Sequence, residues 1–240
     1  GLHIFGATFF VFADYERPAI RLRALQGLPV VSEFTHDSIY VGEDGPTHQP
    51  IEHIMSYRAI PNLLVLRPAD ANEAVLACKI AFEEDKRPSL ILLTRQSLPV
   101  FDRDKYPSPS NVKKGAYIMK DEQEPDIMIL ASGSEVSLAI EASDLLSEYK
   151  VKIVNMPCWE LFDEQEGIYK NHVLSCNKDT LLVSLEAGVT TGWEKYTGRN
   201  GLNLGINTFG ESAPGVDVAN HFGLVPRKVS QAIIERMNKK

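Results

Sequence analysis

The sequence holds 240 residues, 44% of them hydrophobic and 24% charged, a balance that fits a globular chain with one or two buried cores and excludes disorder or low complexity as its organising feature. A formal net charge of -7 argues against a nucleic-acid groove or an anionic membrane surface as the main partner, while leaving room for a local cationic pocket that binds a phosphate. Cys78, Cys158 and Cys176 stand far apart, with no CxxC pair and no zinc-like His spacing, so neither a disulfide framework nor a structural metal is expected and a reduced, cytoplasmic setting is the default.

Taken in chain order, Gly1 to Val11 is apolar but contains His3 and lacks a basic leader and a small-residue cleavage site. No run approaches the roughly 20 residues that span a bilayer. With no initiator Met and an opening inside an apolar stretch, the start reads as a truncation or processing point, with Gly1-Leu2-His3 inside a strand or loop. Val30 to Phe34, Leu63 to Leu66 and Ser89 to Thr94 are predicted strands. Between them fall helices over Ile51 to Tyr57 and Asp70 to Glu84, the second opening on Asp70 with Glu73 at capping-box spacing. Pro99 to Lys114 has three prolines and no apolar period, which predicts a linker, placed at 107–114 between a first domain at 1–106 and a second at 115–240.

The cycle then restarts. Asp126 to Ala131 and Val151 to Met156 read as buried strands flanking a helix with Val136, Ala139 and Ile140 on one face, and Leu181 to Leu185 is a further strand. Val229, Ala232, Ile233, Arg236 and Met237 share one face of a closing helix. Alternation of this kind predicts an α/β class with two consecutive open, mostly parallel sheets and helices on both faces.

Reactive side chains are densest directly after Val30 to Phe34, in Thr35-His36-Asp37-Ser38 and then Gly42-Glu43-Asp44-Gly45-Pro46-Thr47-His48-Gln49-Pro50. Ligands of open parallel sheets bind beyond the carboxyl ends of strands, so the cluster stands where a site belongs. A polar loop whose Asp and His only cap a helix near Pro50 is the alternative. Two histidines, three acids and two turn glycines within 14 residues exceed what a connecting loop requires.

The string Thr35-His36-Asp37-Ser38-Ile39 through Gly42-Glu43-Asp44-Gly45-Pro46-Thr47-His48-Gln49-Pro50 resembles the signature of transketolases, thiamine-diphosphate enzymes that move a two-carbon ketol unit between sugar phosphates. The resemblance extends to Ala7 through Tyr15, Thr94-Arg95-Gln96, Ala131 through Glu135 and Thr208 through Pro214, in the family's order along nearly the whole chain. It implies that residues 1–106 are part of a pyrimidine-binding domain and 115–240 the family's C-terminal domain. It further implies that Phe9, Phe12 and Tyr15 form the slot for the cofactor's aminopyrimidine, a role flat aromatic rings suit. His36 and Arg95 match the residues that hold the sugar's phosphate. Asp44 and His48 match the pair at the donor sugar's hydroxyl groups, with His48 also beside the cofactor and the candidate for proton transfer or polarisation.

Read without the resemblance, Phe9, Phe12 and Tyr15 would be a core stripe and Arg95 a surface charge. His3, His53, His172 and His221 match no motif and are expected to be ordinary histidines. Ser132-Gly133-Ser134-Glu135 is either an anion cradle or, preferably, a helix cap, and Gly210 to Pro214 a packing or subunit contact. The family's pyrimidine-bonding glutamate and its metal and diphosphate motif, Gly-Asp-Gly with a later Asn, do not occur in these residues. Thiamine diphosphate with Mg2+ or Ca2+ is therefore expected to find its metal ligands elsewhere, and the chain alone is expected to be inactive. Sugar phosphates are the expected substrates and a homodimer the expected assembly of the full-length enzyme. The β subunits of 2-oxo acid dehydrogenases and deoxyxylulose phosphate synthases share the layout, but His36-Asp37-Ser38 with His48-Gln49-Pro50 and Arg95 fits a phosphorylated sugar better. A scaffold without catalysis would tolerate loss of Asp44, His48 and Arg95.

Overall fold

The computed structural model describes residues 4–239, so the opening Gly1-Leu2-His3 lies outside the described residues. Its first sheet is built from β1 (Phe5–Phe9), β2 (Val31–Thr35), β3 (Leu64–Leu66) and β4 (Ser89–Leu93) in the order β1-β2-β4-β3, every neighbouring pair parallel. The helices of this half are α1 (Ala13–Gln26), α2 (His53–Arg58) and α3 (Ala71–Glu83). Phe34, Val65, Leu90 and Leu92 belong to one buried cluster, while Val31, Leu64, Leu66 and Ile91 belong to another. Two-sided burial of this kind explains why these strands read as short continuous apolar runs rather than as alternating ones.

Pro109 to Lys114 forms a 3-10 turn, capped by Ser108 and anchored by buried Val112. The second sheet follows, with β5 (Tyr117–Lys120), β6 (Ile127–Ala131), β7 (Val151–Asn155), β8 (Leu181–Leu185) and β9 (Leu202–Leu204) in the order β5-β7-β6-β8-β9. Among the described residues, only β5 of this sheet pairs antiparallel. Around it lie α4 (Glu135–Asp144), α5 (Trp159–Asp163), α6 (Gly167–Val173), α7 (Glu194–Thr197), α8 (Gly215–His221) and α9 (Pro226–Met237). Central β6 sends Ile127, Ile129 and Ala131 into one cluster and Met128 and Leu130 into another. The α/β class with two mostly parallel sheets is the one the sequence predicts.

Asp70 caps α3 by accepting a hydrogen bond from the Glu73 amide at 2.8 Å. The reciprocal half of the expected box is displaced by one residue, because Glu73 Oε2 accepts from the Ala69 amide at 2.9 Å. The carboxylate's other oxygen accepts from Asn155 Nδ2 at 2.7 Å and from the Tyr117 hydroxyl, so a residue of a helix cap also ties the two halves together. Among the described residues, no helix is long and apolar enough to cross a membrane, and Cys78, Cys158 and Cys176 are free thiols.

Candidate active site

Parallel register decides where the reactive side chains meet. Phe9 is level with Thr35, and Thr35 is level with Leu93, so three adjacent strands end in line. The residues that follow them emerge on one edge of the sheet: the turn Phe10–Phe12 after β1, His36 after β2, and Thr94 and Arg95 after β4. His36 adopts a φ of 61°, which turns the chain out of the strand. Its ring stacks on Phe9 at 3.7 Å between centroids, and its Nδ1 lies 2.9 Å from Thr35 Oγ1. A cavity of about 400 Å³ opens there, lined by Phe9, His36, Glu43, Asp44 and Arg95 together with Tyr40, Val41, Gly42, Pro214 and Gly215. Partial burial, and then the nearby Arg95 cation, hold the His36 imidazole below its ordinary pKa, against the opposing pull of Asp44 and Asp37.

The loop that presents Asp44 is held from behind. Ile39 to Asp44 is a 3-10 segment interrupted at Gly42, which has a φ of 81°. Buried Gln49 donates through Nε2 to Gly42 O at 2.8 Å and to Glu211 O at 2.9 Å, stapling the loop to the distant Gly210 to Pro214 segment. Gly45 has a φ of 76°, and a side chain there would collide with Ser212 Oγ; both facts require glycine at that point. Within the chain, Gly210 to Pro214 has a packing role. The segment backs the acidic loop, and Pro214 and Gly215 complete the cavity wall.

Beside the cavity runs an aromatic surface. Phe9 and Phe12 lie 6.1 Å apart with their planes 11° from parallel, and Tyr15 follows Phe12 at 6.2 Å. Phe12 is 36% exposed and Tyr15 88% exposed, which overturns a core-stripe reading for these two rings. His48 meets Phe12 edge-on at 5.6 Å, and its Nδ1 lies 2.9 Å from Thr47 Oγ1. His48, Phe12 and Tyr15 do not line the 400 Å³ cavity. They adjoin it through Phe9, the ring common to the aromatic run and to the cavity wall.

Two predicted elements do other work. Asp37 is 1% exposed and receives Arg67 Nε at 2.7 Å, so the acid next to His36 fixes the strand end rather than facing the cavity. Arg67, fully buried, also donates to Ser132 O at 2.8 Å and to the Glu135 carboxylate. Glu135 Oε2 accepts further from the Ala187 amide at 2.9 Å. Arg58 grips Glu186 with two bonds of 2.7 and 2.8 Å. The expected cap at Ser132-Gly133-Ser134-Glu135 is therefore corrected: Ser134 makes no side-chain capping bond. The motif instead receives the guanidinium of Arg67, and Gly133, with a φ of 57°, is needed because a Cβ there would stand 2.7 Å from that group.

Three acids against two cations leave one carboxyl in excess. Burial alone opposes charge on Arg67, but Asp37, Glu135 and Glu186 outweigh it and raise its pKa. Burial lifts the Glu135 carboxyl above the ordinary range despite Arg67. Glu186 is desolvated as well, yet Arg58 and Arg67 bring it below that range. Glu135 is thus biased by burial toward its protonated form, and Glu186 by its two guanidinium partners toward its charged form.

Asp14, Glu52 and His53 bring possible metal-ligand atoms within 4.8 Å of one another. The two imidazole nitrogens face different carboxylates, Nε2 at 3.2 Å from Asp14 and Nδ1 at 3.7 Å from Glu52. Arg17 bonds the other Asp14 oxygen at 2.9 Å. The two acids thus face different nitrogens of one imidazole, and Arg17 already engages Asp14.

Residues 1–100 match the family model described as the pyrimidine binding domain of transketolase, and residues 115–225 match the transketolase-like C-terminal domain. Transketolase of Aquifex aeolicus is 48% identical over 239 residues, covering 98% of this chain and 34% of the relative. Transketolase of Bacillus subtilis is 50% identical over 236 residues, covering 96% of this chain and 35% of the relative. Among solved structures, Pichia stipitis transketolase in complex with sedoheptulose 7-phosphate superposes with a TM-score of 0.91 at 38% identity, covering 98% of this chain and 34% of that one. The chain spans about a third of the length of the curated relatives it matches.

Proposed function

The chain belongs to the transketolase family, and from that membership we propose that it forms the sugar-binding and pyrimidine-binding part of a cytoplasmic enzyme that transfers a two-carbon ketol unit from a ketose phosphate to an aldose phosphate. The observation that carries the proposal is the convergence of His36, Asp44 and Arg95 on one cavity beside an exposed aromatic surface. Solved relatives bear the printed descriptions of complexes with fructose 6-phosphate and sedoheptulose 7-phosphate, which supports a phosphorylated sugar as the occupant. We assign residues 1–106 and 115–240 to the two domains, with 107–114 between them.

Phe9, Phe12 and Tyr15 fit a thiamine pyrimidine, because exposed rings next to an imidazole offer a flat apolar face that a heteroaromatic ring can cover. Bound thiamine diphosphate supplies the electron sink for breaking a carbon–carbon bond next to a ketone. The diphosphate and its Mg2+ or Ca2+ are assigned to residues outside these 240, since the family's metal and diphosphate motif does not occur among them. Arg95 offers a fork of donors to the phosphate dianion, and neutral His36 adds a further hydrogen bond. The Asp44 carboxylate accepts from a sugar hydroxyl and fixes its orientation. With Nδ1 facing Thr47, His48 works through Nε2, taking the hydroxyl proton as the carbon–carbon bond breaks and returning it as the next one forms. From family membership we also place the site in a homodimer.

The reading is tested by turnover. A chain extended to the length of the curated relatives, supplied with thiamine diphosphate and magnesium, is expected to transfer a ketol unit between sugar phosphates, and the 240 residues by themselves are expected not to. Inactivity of the extended chain would overturn the function, and activity of the 240 residues would overturn the division of the site.

A further inference from the structure

The cavity that holds His36, Asp44 and Arg95 is bounded by Tyr40, and Tyr40 also borders a second cavity. The first has a volume of about 400 Å³. The second, of about 240 Å³, is lined by Gln96, Ser134, Ser137, Glu141 and Val216 among others. Tyr40 is the residue common to both walls. Elsewhere the boundary is drawn by the chain itself, which passes from Arg95 to Gln96 and from Gly215 to Val216 as it leaves one cavity for the other.

The tyrosine is held in this position by α8. A Cβ built on Gly215 would stand 3.3 Å from Tyr40 Cα and 3.4 Å from its Cδ1, so the first residue of that helix fits against the backbone and ring edge of Tyr40. Burial, and then Glu135, push the Tyr40 hydroxyl up to about 12, with Arg67 opposing and Glu141 and Asp37 adding to the rise. Glu141 also lines the second cavity, so Tyr40 stands between the first cavity and that acidic wall.

We infer that Tyr40 is a specificity-determining wall that limits the length of phosphorylated sugar the site accepts, and that shortening it joins the two cavities and favours longer carbon chains. The inference rests on the assignment of His36 and Arg95 to the phosphate. With the reacting end of the sugar fixed near His48, every added carbon has to be accommodated in the cavity that Tyr40 bounds. Gln96, Ser134 and Ser137 then offer partners to the additional hydroxyl groups. Glu141 on the far wall opposes deep entry of a dianion, so the gain is confined to one or two carbons.

The test is equilibrium binding to the extended chain of phosphorylated sugar alcohols of five, six and seven carbons, which lack the carbonyl and do not react. Calorimetric Kd values are compared for the parent, Tyr40→Phe, Tyr40→Leu and Tyr40→Ala. The ratio of the five-carbon Kd to the seven-carbon Kd is expected to rise about tenfold in Tyr40→Ala, the scale on which pockets discriminate by one carbon. It is expected to rise less in Tyr40→Leu and to stay within about twofold in Tyr40→Phe. The leucine variant carries the test should the alanine variant fail to fold. An unchanged ratio in the shortened variants overturns the inference, as does a change in Tyr40→Phe equal to that in Tyr40→Ala. If Arg95→Ala leaves the parent's binding of all three lengths unaltered, the phosphate assignment fails, and the wall falls with it.

Discussion

Replacing Arg67 by Met is expected to lower the stability of the 240-residue chain by about 3–5 kcal/mol, the cost of leaving buried charges without their partner, read as a fall in the urea midpoint. Arg67 is 0% exposed and bonds Asp37 and Glu135, each only 1% exposed. The backbone adds to the junction at the same residue: the Arg67 amide donates to Pro157 O at 2.8 Å, and Arg67 O accepts from the Gly133 amide at 3.1 Å. Methionine keeps the stem volume and these backbone bonds, so the variant isolates the charge. A carboxyl whose folded pKa is raised contributes stability that is present at low pH and lost as pH climbs through that pKa. Glu135 is already raised by burial with Arg67 present, and loss of the guanidinium raises it further. The deficit of the variant is therefore expected to narrow between pH 8 and pH 5. Adding Glu135→Gln to Arg67→Met is expected to recover part of the loss, since it removes one of the stranded charges. An equal deficit at both pH values would show that packing, and not charge, is what Arg67 provides.

The two sheets were legible because their central strands are buried on both faces. Runs such as Ile127 to Ala131 and Leu181 to Leu185 announce themselves without any partner. Strand β1 did not, because at the sheet edge its residues Phe5 through Thr8 are exposed and carry no pattern of burial. Strands β5 and β9, of four and three residues, are set by tertiary pairing alone. Helix α1 was hidden for another reason: Tyr15, Leu22 and Leu25 point outward at 88%, 50% and 72% exposure, so its apolar residues do not mark a single buried face.

At the site, residue types at the end of Val31 to Thr35 pointed to chemistry, but two members of the cluster turned out to be structural. Asp37 is separated from Arg67 by 30 residues and from Glu135 by 98, and no local spacing links them. Gln49 reads as one more polar side chain in the loop, yet it is the staple between residues 42 and 211. An excess of buried charge, with Arg58, Arg67, Glu135 and Glu186 each standing in an apolar neighbourhood of the sequence, is the signal that could have predicted an ionic junction between the halves.

In the extended chain, His48→Ala and Arg95→Ala are expected to fail in different ways. His48 is assigned to a proton that moves only as bonds change, so its loss is expected to lower kcat by about 10²–10⁴-fold with little change in KM. Arg95 is assigned to a phosphate that is bound equally in the ground and transition states. Its loss is expected to raise KM for phosphorylated sugars by about 10–100-fold, the value of one charge-assisted contact, while sparing unphosphorylated ketoses. The Arg95 defect carries a pH signature as well. After burial, Arg95 is the next cause of the lowered His36 pKa, so without it the imidazole protonates more readily near neutrality. A protonated His36 partly replaces the missing cation, and the ratio of variant to parent KM is expected to shrink as pH falls from 8 to 6. Protonation of the phosphate ester is common to both enzymes and cancels in that ratio. A pH-independent ratio would sever His36 from the phosphate, and a His48→Ala enzyme with parental kcat would remove His48 from the proton transfer.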